Sequence, residues 1–138
     1  MPHELRHDGY LISDDPARLS VDAVHAFLTR CRWALGITRE LVGRSMANSL
    51  CLGIYTASGD QVGLVRVITD CATFSYVCDV YVLDPHRRRG LAKAAMRAYR
   101  SHPRLQNLRR EYLVTPDAQG LYQQFGFSRV ADPGRHME

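Results

Sequence analysis

Hydrophobic and polar positions change period at one place in the chain, and the rest can be read outward from it. Tyr76-Val77-Cys78-Asp79-Val80-Tyr81-Val82-Leu83 is rich in β-branched and aromatic residues and predicts a strand, which Asp84-Pro85 stops. From Leu91 the apolar positions are Leu91, Ala95, Ala98 and Tyr99, one face of a helix that Pro103 limits by forcing the residue before it out of helical geometry. Upstream, Leu50–Ala57 and Gln61–Thr69 read as apolar strands joined by Ser58-Gly59-Asp60, with Asp70-Cys71-Ala72 turning into the Tyr76 strand.

The flanks carry weaker signals of the same kind. Residues 1–8 are polar and predict irregular chain, followed by a short strand at Tyr10–Ser13. Ser20 predicts the N-cap of a helix with apolar positions Val21, Val24, Phe27 and Leu28, and Thr38 that of a second helix through Asn48. Trp33, the only tryptophan, lies in the connection between them. Downstream, Arg109–Val114 reads as a strand and Thr115-Pro116-Asp117 as the start of a helix with Ala118, Leu121 and Phe125 inward. Gly126 reads as that helix's left-handed cap and Phe127–Ala131 as a last strand. The sum is an α+β chain of about six strands and about four helices, with 1–138 as a single domain.

Composition narrows the class. At 138 residues, with 46% hydrophobic and 23% charged positions, the chain is ordinary for a soluble globular protein. No apolar run reaches the length of a membrane span and none near Met1 resembles a secretory signal, so a cytoplasmic location is expected and a membrane partner is not. Cys31, Cys51, Cys71 and Cys78 form no C-x-x-C pair and no zinc spacing, so they read as reduced thiols and no metal is expected.

Charge is distributed unevenly. Between His86 and Arg110 stand nine Arg or Lys and no acidic residue; the remainder has nine basic against fourteen acidic positions, a net of −5. A basic bias confined to one segment argues for a small polyanion rather than nucleic acid. The segment contains Arg87-Arg88-Arg89-Gly90-Leu91-Ala92-Lys93, at the expected start of a helix. Free N–H groups and the partial positive charge of a helix start suit a phosphate, and Gly90 leaves room for one to approach the backbone.

Arg87-x-x-Gly90-x-Ala92 matches the R/Q-x-x-G-x-G/A signature of the GNAT N-acetyltransferase superfamily, and about thirty residues on Leu121-Tyr122-Gln123-Gln124-Phe125-Gly126-Phe127 resembles its L-Y-x-x-x-G-F signature. The resemblance covers roughly residues 50–130. It implies the acyl-CoA N-acyltransferase fold, a mostly antiparallel mixed sheet, and acetyl-CoA as co-substrate. It implies that Arg87, Arg88, Arg89, Gly90, Leu91, Ala92 and Lys93 hold the pyrophosphate, and that Val80, Tyr81 and Val82 line the pantetheine with their backbone. Thr115 stands where many relatives have a pantetheine-binding asparagine, and Tyr122 matches the tyrosine that protonates the leaving thiolate.

Asp79 is the leading candidate for the base, acting directly, through water, or only as a loop anchor; Tyr55, Tyr81, Asp70 and Glu40 are weaker ones. By strict alternation Asp79 shares a face with Val77 and Tyr81, unless a bulge changes the parity. Trp33, Asp70 and Asp79 are the candidates for the acceptor pocket, with Trp33 equally able to plug the core. Carboxylates at Glu40, Asp70 and Asp79 would favour a cationic amine acceptor. A homodimer is compatible with these features. The rival reading is a non-catalytic acetyl-CoA-binding domain. A dinucleotide-binding protein is disfavoured because G-x-G-x-x-G is missing. For Arg97, Arg100 and Arg104 an ordinary solvated helix face is expected.

Overall fold

The computed structural model describes residues 1–138. Six strands form one sheet in the order of the sequence: β1 (Glu4–His7), β2 (Tyr10–Ser13), β3 (Leu50–Tyr55), β4 (Gln61–Thr69), β5 (Phe74–Val82) and β6 (Arg110–Leu113). All neighbours are antiparallel except β5 and β6, which run parallel. Helices α1 (Val21–Leu28) and α2 (Arg39–Ala47) precede β3, α3 (Leu91–Ser101) connects β5 to β6, and α4 (Gln119–Gln123) follows β6.

The caps lie where short-range chemistry puts them. Ser20 and Thr38 accept from the N–H groups of Ala23 and Leu41, and Gly126 takes the left-handed conformation at φ +92°. His102, before Pro103, is extended and ends α3. The sheet is buried on both faces. Val24, Leu28, Val42 and Met46 of α1 and α2 pack with Cys51, Leu64 and Tyr81. On the other side Ala94, Ala95, Ala98 and Tyr99 of α3 pack with Leu52, Ile54, Val65 and Val77.

Several expectations are corrected. Residues 4–7 are a strand, because Glu4–His7 finds a partner in Tyr10–Ser13. Phe127–Ala131 is not a strand: the Phe127 N–H donates to the Tyr122 carbonyl and the Arg100 guanidinium lies over its ring. Thr115 does not cap α4, which starts four residues later with Ala118 at the cap; the Thr115 hydroxyl instead accepts from the Ala118 N–H. Arg100 is no solvated side chain, since it bonds both Glu111 carboxylate oxygens and the Phe125 carbonyl.

Two irregularities open the sheet next to the loop. Leu64 faces Tyr81 and Arg66 faces Cys78, so Val65 alone stands opposite Asp79 and Val80, a bulge with Asp79 at φ +49°. Val77 and Tyr81 therefore lie on opposite faces of the sheet, against strict alternation. In addition, pairing between β5 and β6 stops at Val77 and Leu113. Beyond that point the strands part, and β5 has a free edge from Cys78 onward.

Candidate active site

That free edge forms one wall of a groove of about 680 Å³, lined by Val80, Tyr81 and Val82, the Arg87–Lys93 turn, and Tyr122 of α4. The Leu83 N–H donates to the Val62 carbonyl, which fixes the parity so that Val80 and Val82 turn their backbone groups away from β4, into the gap. At the far end, Arg88 and Gly90 both take positive φ, +65° and +75°, and the helix begins at Leu91. The backbone N–H groups of Arg88 through Lys93 make no hydrogen bond within the protein. Six consecutive donors at a helix start form a ready anion site.

The side chains of the turn divide their work. Arg88 and Lys93 line the groove without an acidic partner, whereas Arg87 is ion-paired to Asp84 and donates to the Val82 carbonyl, and Arg89 does not line the groove. The β1–β2 hairpin supports the turn from outside. His7 Nε2 bonds the Arg89 carbonyl at 2.7 Å, and the Tyr10 hydroxyl bonds His86 Nδ1 at 2.8 Å. A Cβ on Gly90 would point at His7 Nε2, 3.2 Å away. Gly90 lines the groove, and its positive φ and the nearby hairpin both disfavour a side chain there.

Tyr122 stands where the groove meets a second cavity of about 480 Å³ between β5 and β6. It is 8% exposed, and its hydroxyl has no hydrogen-bond partner in the protein. Burial, with a smaller contribution from the Asp117 charge, pushes its phenol above the usual range. The group is a proton donor kept protonated and unengaged.

Asp79 lines the second cavity but is committed within the protein. One carboxylate oxygen accepts from Arg66 Nε at 2.8 Å, the other from Trp33 Nε1 at 2.9 Å, and only 11% of its side chain is exposed. Trp33 is half-exposed, lines both cavities and leans on Phe27, so it borders the site and does not plug the core.

The remaining candidates are scattered. Thr115 lines the second cavity, not the groove. Asp70 lies in the β4–β5 turn outside both cavities, where bonds from Thr73, Ala72 and Phe74 hold its carboxyl well below the usual range. Glu40 is in the first turn of α2, also outside. Tyr55 is in the core, and Tyr81 is stacked on Phe27 at 3.9 Å, with both phenols raised by burial. The charge argument for a cationic acceptor thus loses Glu40 and Asp70 by position and Asp79 to its ion pair.

Sequence reasoning missed Arg66, His7 and Tyr10, whose roles depend on register and leave no local signal. Asp117 was visible only as a helix-start residue. All four cysteines are free; burial raises the Cys78 thiol to about 11 and the Cys51 thiol to about 12. A larger cavity, about 870 Å³, lies beside Asp14, Met46 and Arg104 and contains none of the motif residues. No helix is long and apolar enough to cross a membrane.

The chain is similar to known proteins over most of its length. Residues 47–129 match the acetyltransferase (GNAT) domain. A candidate acetyltransferase of Gibberella zeae is 33% identical over 144 aligned positions, covering 88% of this chain and 80% of its own. The crystal structure of a candidate GNAT-family acetyltransferase from Xanthomonas campestris pv. campestris superposes with a TM-score of 0.92 at 42% identity, covering 96% of this chain and 94% of that one. A candidate acetyltransferase from Deinococcus radiodurans shares the fold at TM-score 0.73 and 19% identity, over 93% and 89% of the two chains.

Proposed function

The chain belongs to the GNAT acetyltransferase family, and from that premise we propose that it transfers the acetyl group of acetyl-CoA to a primary amine, on a small molecule or a protein. The observation that carries this reading is the geometry of one groove. It has a run of free N–H groups from Arg88 to Lys93 at one end, strand backbone unpaired with β6 along its wall, and an unengaged tyrosine hydroxyl at the other end.

Each part suits a part of acetyl-CoA. The N–H groups of Arg88–Lys93, with the Arg88 and Lys93 charges, receive the pyrophosphate. The backbone of Val80 and Val82 hydrogen-bonds the amide-bearing arm as an added strand would. A β5 N–H in the gap faces the thioester oxygen, and a pre-oriented donor of that kind contributes about 2.7–4 kcal/mol as negative charge develops there. The amine nitrogen attacks the thioester carbon, the N–C bond forms and the C–S bond breaks. Tyr122 gives its proton to the departing sulfur. Asp79 positions the site: with Arg66 it holds the bulge, and with Trp33 it fixes the α1–α2 connection over the cavity.

Thiol release from acetyl-CoA across a panel of amino acids, polyamines, aminoglycosides and lysine peptides tests the reading. Amine-dependent release is expected for at least one class. Release no faster than hydrolysis with every class would leave a binding domain and not an enzyme.

A further inference from the structure

With Asp79 tied to Arg66 and Trp33, the site has one other carboxylate, and it is free. Asp117 lies between β6 and α4, on the linings of both cavities where they meet at Tyr122. Its side chain makes no hydrogen bond and no ion pair within the protein. Nothing in the fold requires it: the Thr115 hydroxyl already caps the turn by accepting from the Ala118 N–H. An unpaired carboxylate where the groove meets the second cavity, beside Tyr122, is placed to handle the amine's charge and proton.

We propose that Asp117 is the residue that receives the acceptor's ammonium and takes the proton released from nitrogen during acetyl transfer. The inference rests on the acetyl-transfer reading above and adds the acceptor side of it. The ammonium docks against the Asp117 carboxylate and loses one proton to water, giving the neutral amine. As the N–C bond forms and the C–S bond breaks, Tyr122 protonates the sulfur and Asp117 takes the second nitrogen proton. Asp117 then returns that proton to the Tyr122 phenolate. No proton is gained or lost by the enzyme, and no other reactant is needed.

The charged neighbours are Arg32 from the α1–α2 connection and the Arg66–Asp79 pair, with Tyr76 and Cys78 of β5 on the cavity wall. On the groove side stand Tyr81, His86, Arg87, Arg88 and Lys93. Asp117 is close enough to Tyr122 for its charge to raise the phenol, so removing that charge lowers it.

The test is Asp117→Asn beside Asp117→Glu, measured with the best amine from the panel. Asp117→Asn is expected to lower kcat/KM for the amine by about 10²-fold or more while leaving acetyl-CoA affinity within twofold. Its alkaline limb, set by Tyr122, is expected to move to lower pH, and Asp117→Glu to keep the limb in place and recover part of the rate. A bystander charge would move that limb as well but leave kcat/KM for the amine at its wild-type value, and that result would overturn the proposal. So would a loss confined to acetyl-CoA affinity, which would make Asp117 part of the donor groove. Wild-type turnover on the panel is measured first, so failure of the transfer reading is distinguished from failure of this one.

Discussion

At the scale of single residues, the chemistry depends on which side chains are free and which are committed. Tyr122 is free and held protonated by burial, so Tyr122→Phe should keep the ring's packing and lose only the proton. A fall in kcat of about 10²–10⁴-fold with nearly unchanged acetyl-CoA affinity is expected, and steady-state kinetics with calorimetry checks both. Because its pKa is raised, the protonated form persists through the usual phenol range near 10, and kcat should decline only above it. Asp79 is committed. Asp79→Asn removes the charge opposite Arg66, leaving a mostly buried guanidinium without its partner, which should cost about 1–3 kcal/mol. Trp33 is the only tryptophan and donates to the other Asp79 oxygen, so its emission reports on that second bond. The variant should melt lower and shift that emission; unchanged melting and emission would show that the Arg66–Asp79–Trp33 chain holds nothing.

At the scale of elements, local signals were legible and pairing was not. Ser20, Thr38, Asp84-Pro85 and Gly126 act within a few residues, and the structure uses each of them much as the sequence reads. Strand β1 was illegible because Glu4–His7 is polar and gains order only from its partner. The bulge was legible only as an alternative, since parity at Asp79 depends on the register with β4. Phe127–Ala131 has strand-like composition, but Arg100, reaching from α3 to the Phe125 carbonyl and over the Phe127 ring, holds the segment differently. Strand β3 shows another constraint outside the reach of pattern: the buried Tyr55 ring folds back over Gly53, where an added Cβ would meet its Cε2 at 2.7 Å. Gly53→Ala should therefore destabilise by about 1–3 kcal/mol in urea unfolding. An unchanged midpoint would mean that the ring moves aside at no cost.

At the scale of the whole molecule, the uneven charge has a structural meaning that the sequence only outlined. The basic segment begins at the Arg87–Lys93 turn and runs along α3 to the start of β6, and its members are not equivalent: Arg88 and Lys93 face the groove, Arg87 braces the turn, and Arg100 ties α3 to Glu111 and the Phe125 carbonyl. The acidic remainder contributes Asp79 and Asp117 to the site and leaves Glu40 and Asp70 outside it. The central claim is that the groove holds acetyl-CoA by its phosphates. Its most direct test is calorimetric titration of acetyl-CoA into the wild type and into Arg88→Glu/Lys93→Glu, two exposed positions whose replacement breaks no ion pair within the protein. Binding at one per chain, weakening with salt, and at least a tenfold loss in the variant (about 1.4 kcal/mol) are the expected results. No binding by the wild type, or equal affinity in the two proteins, would contradict the account.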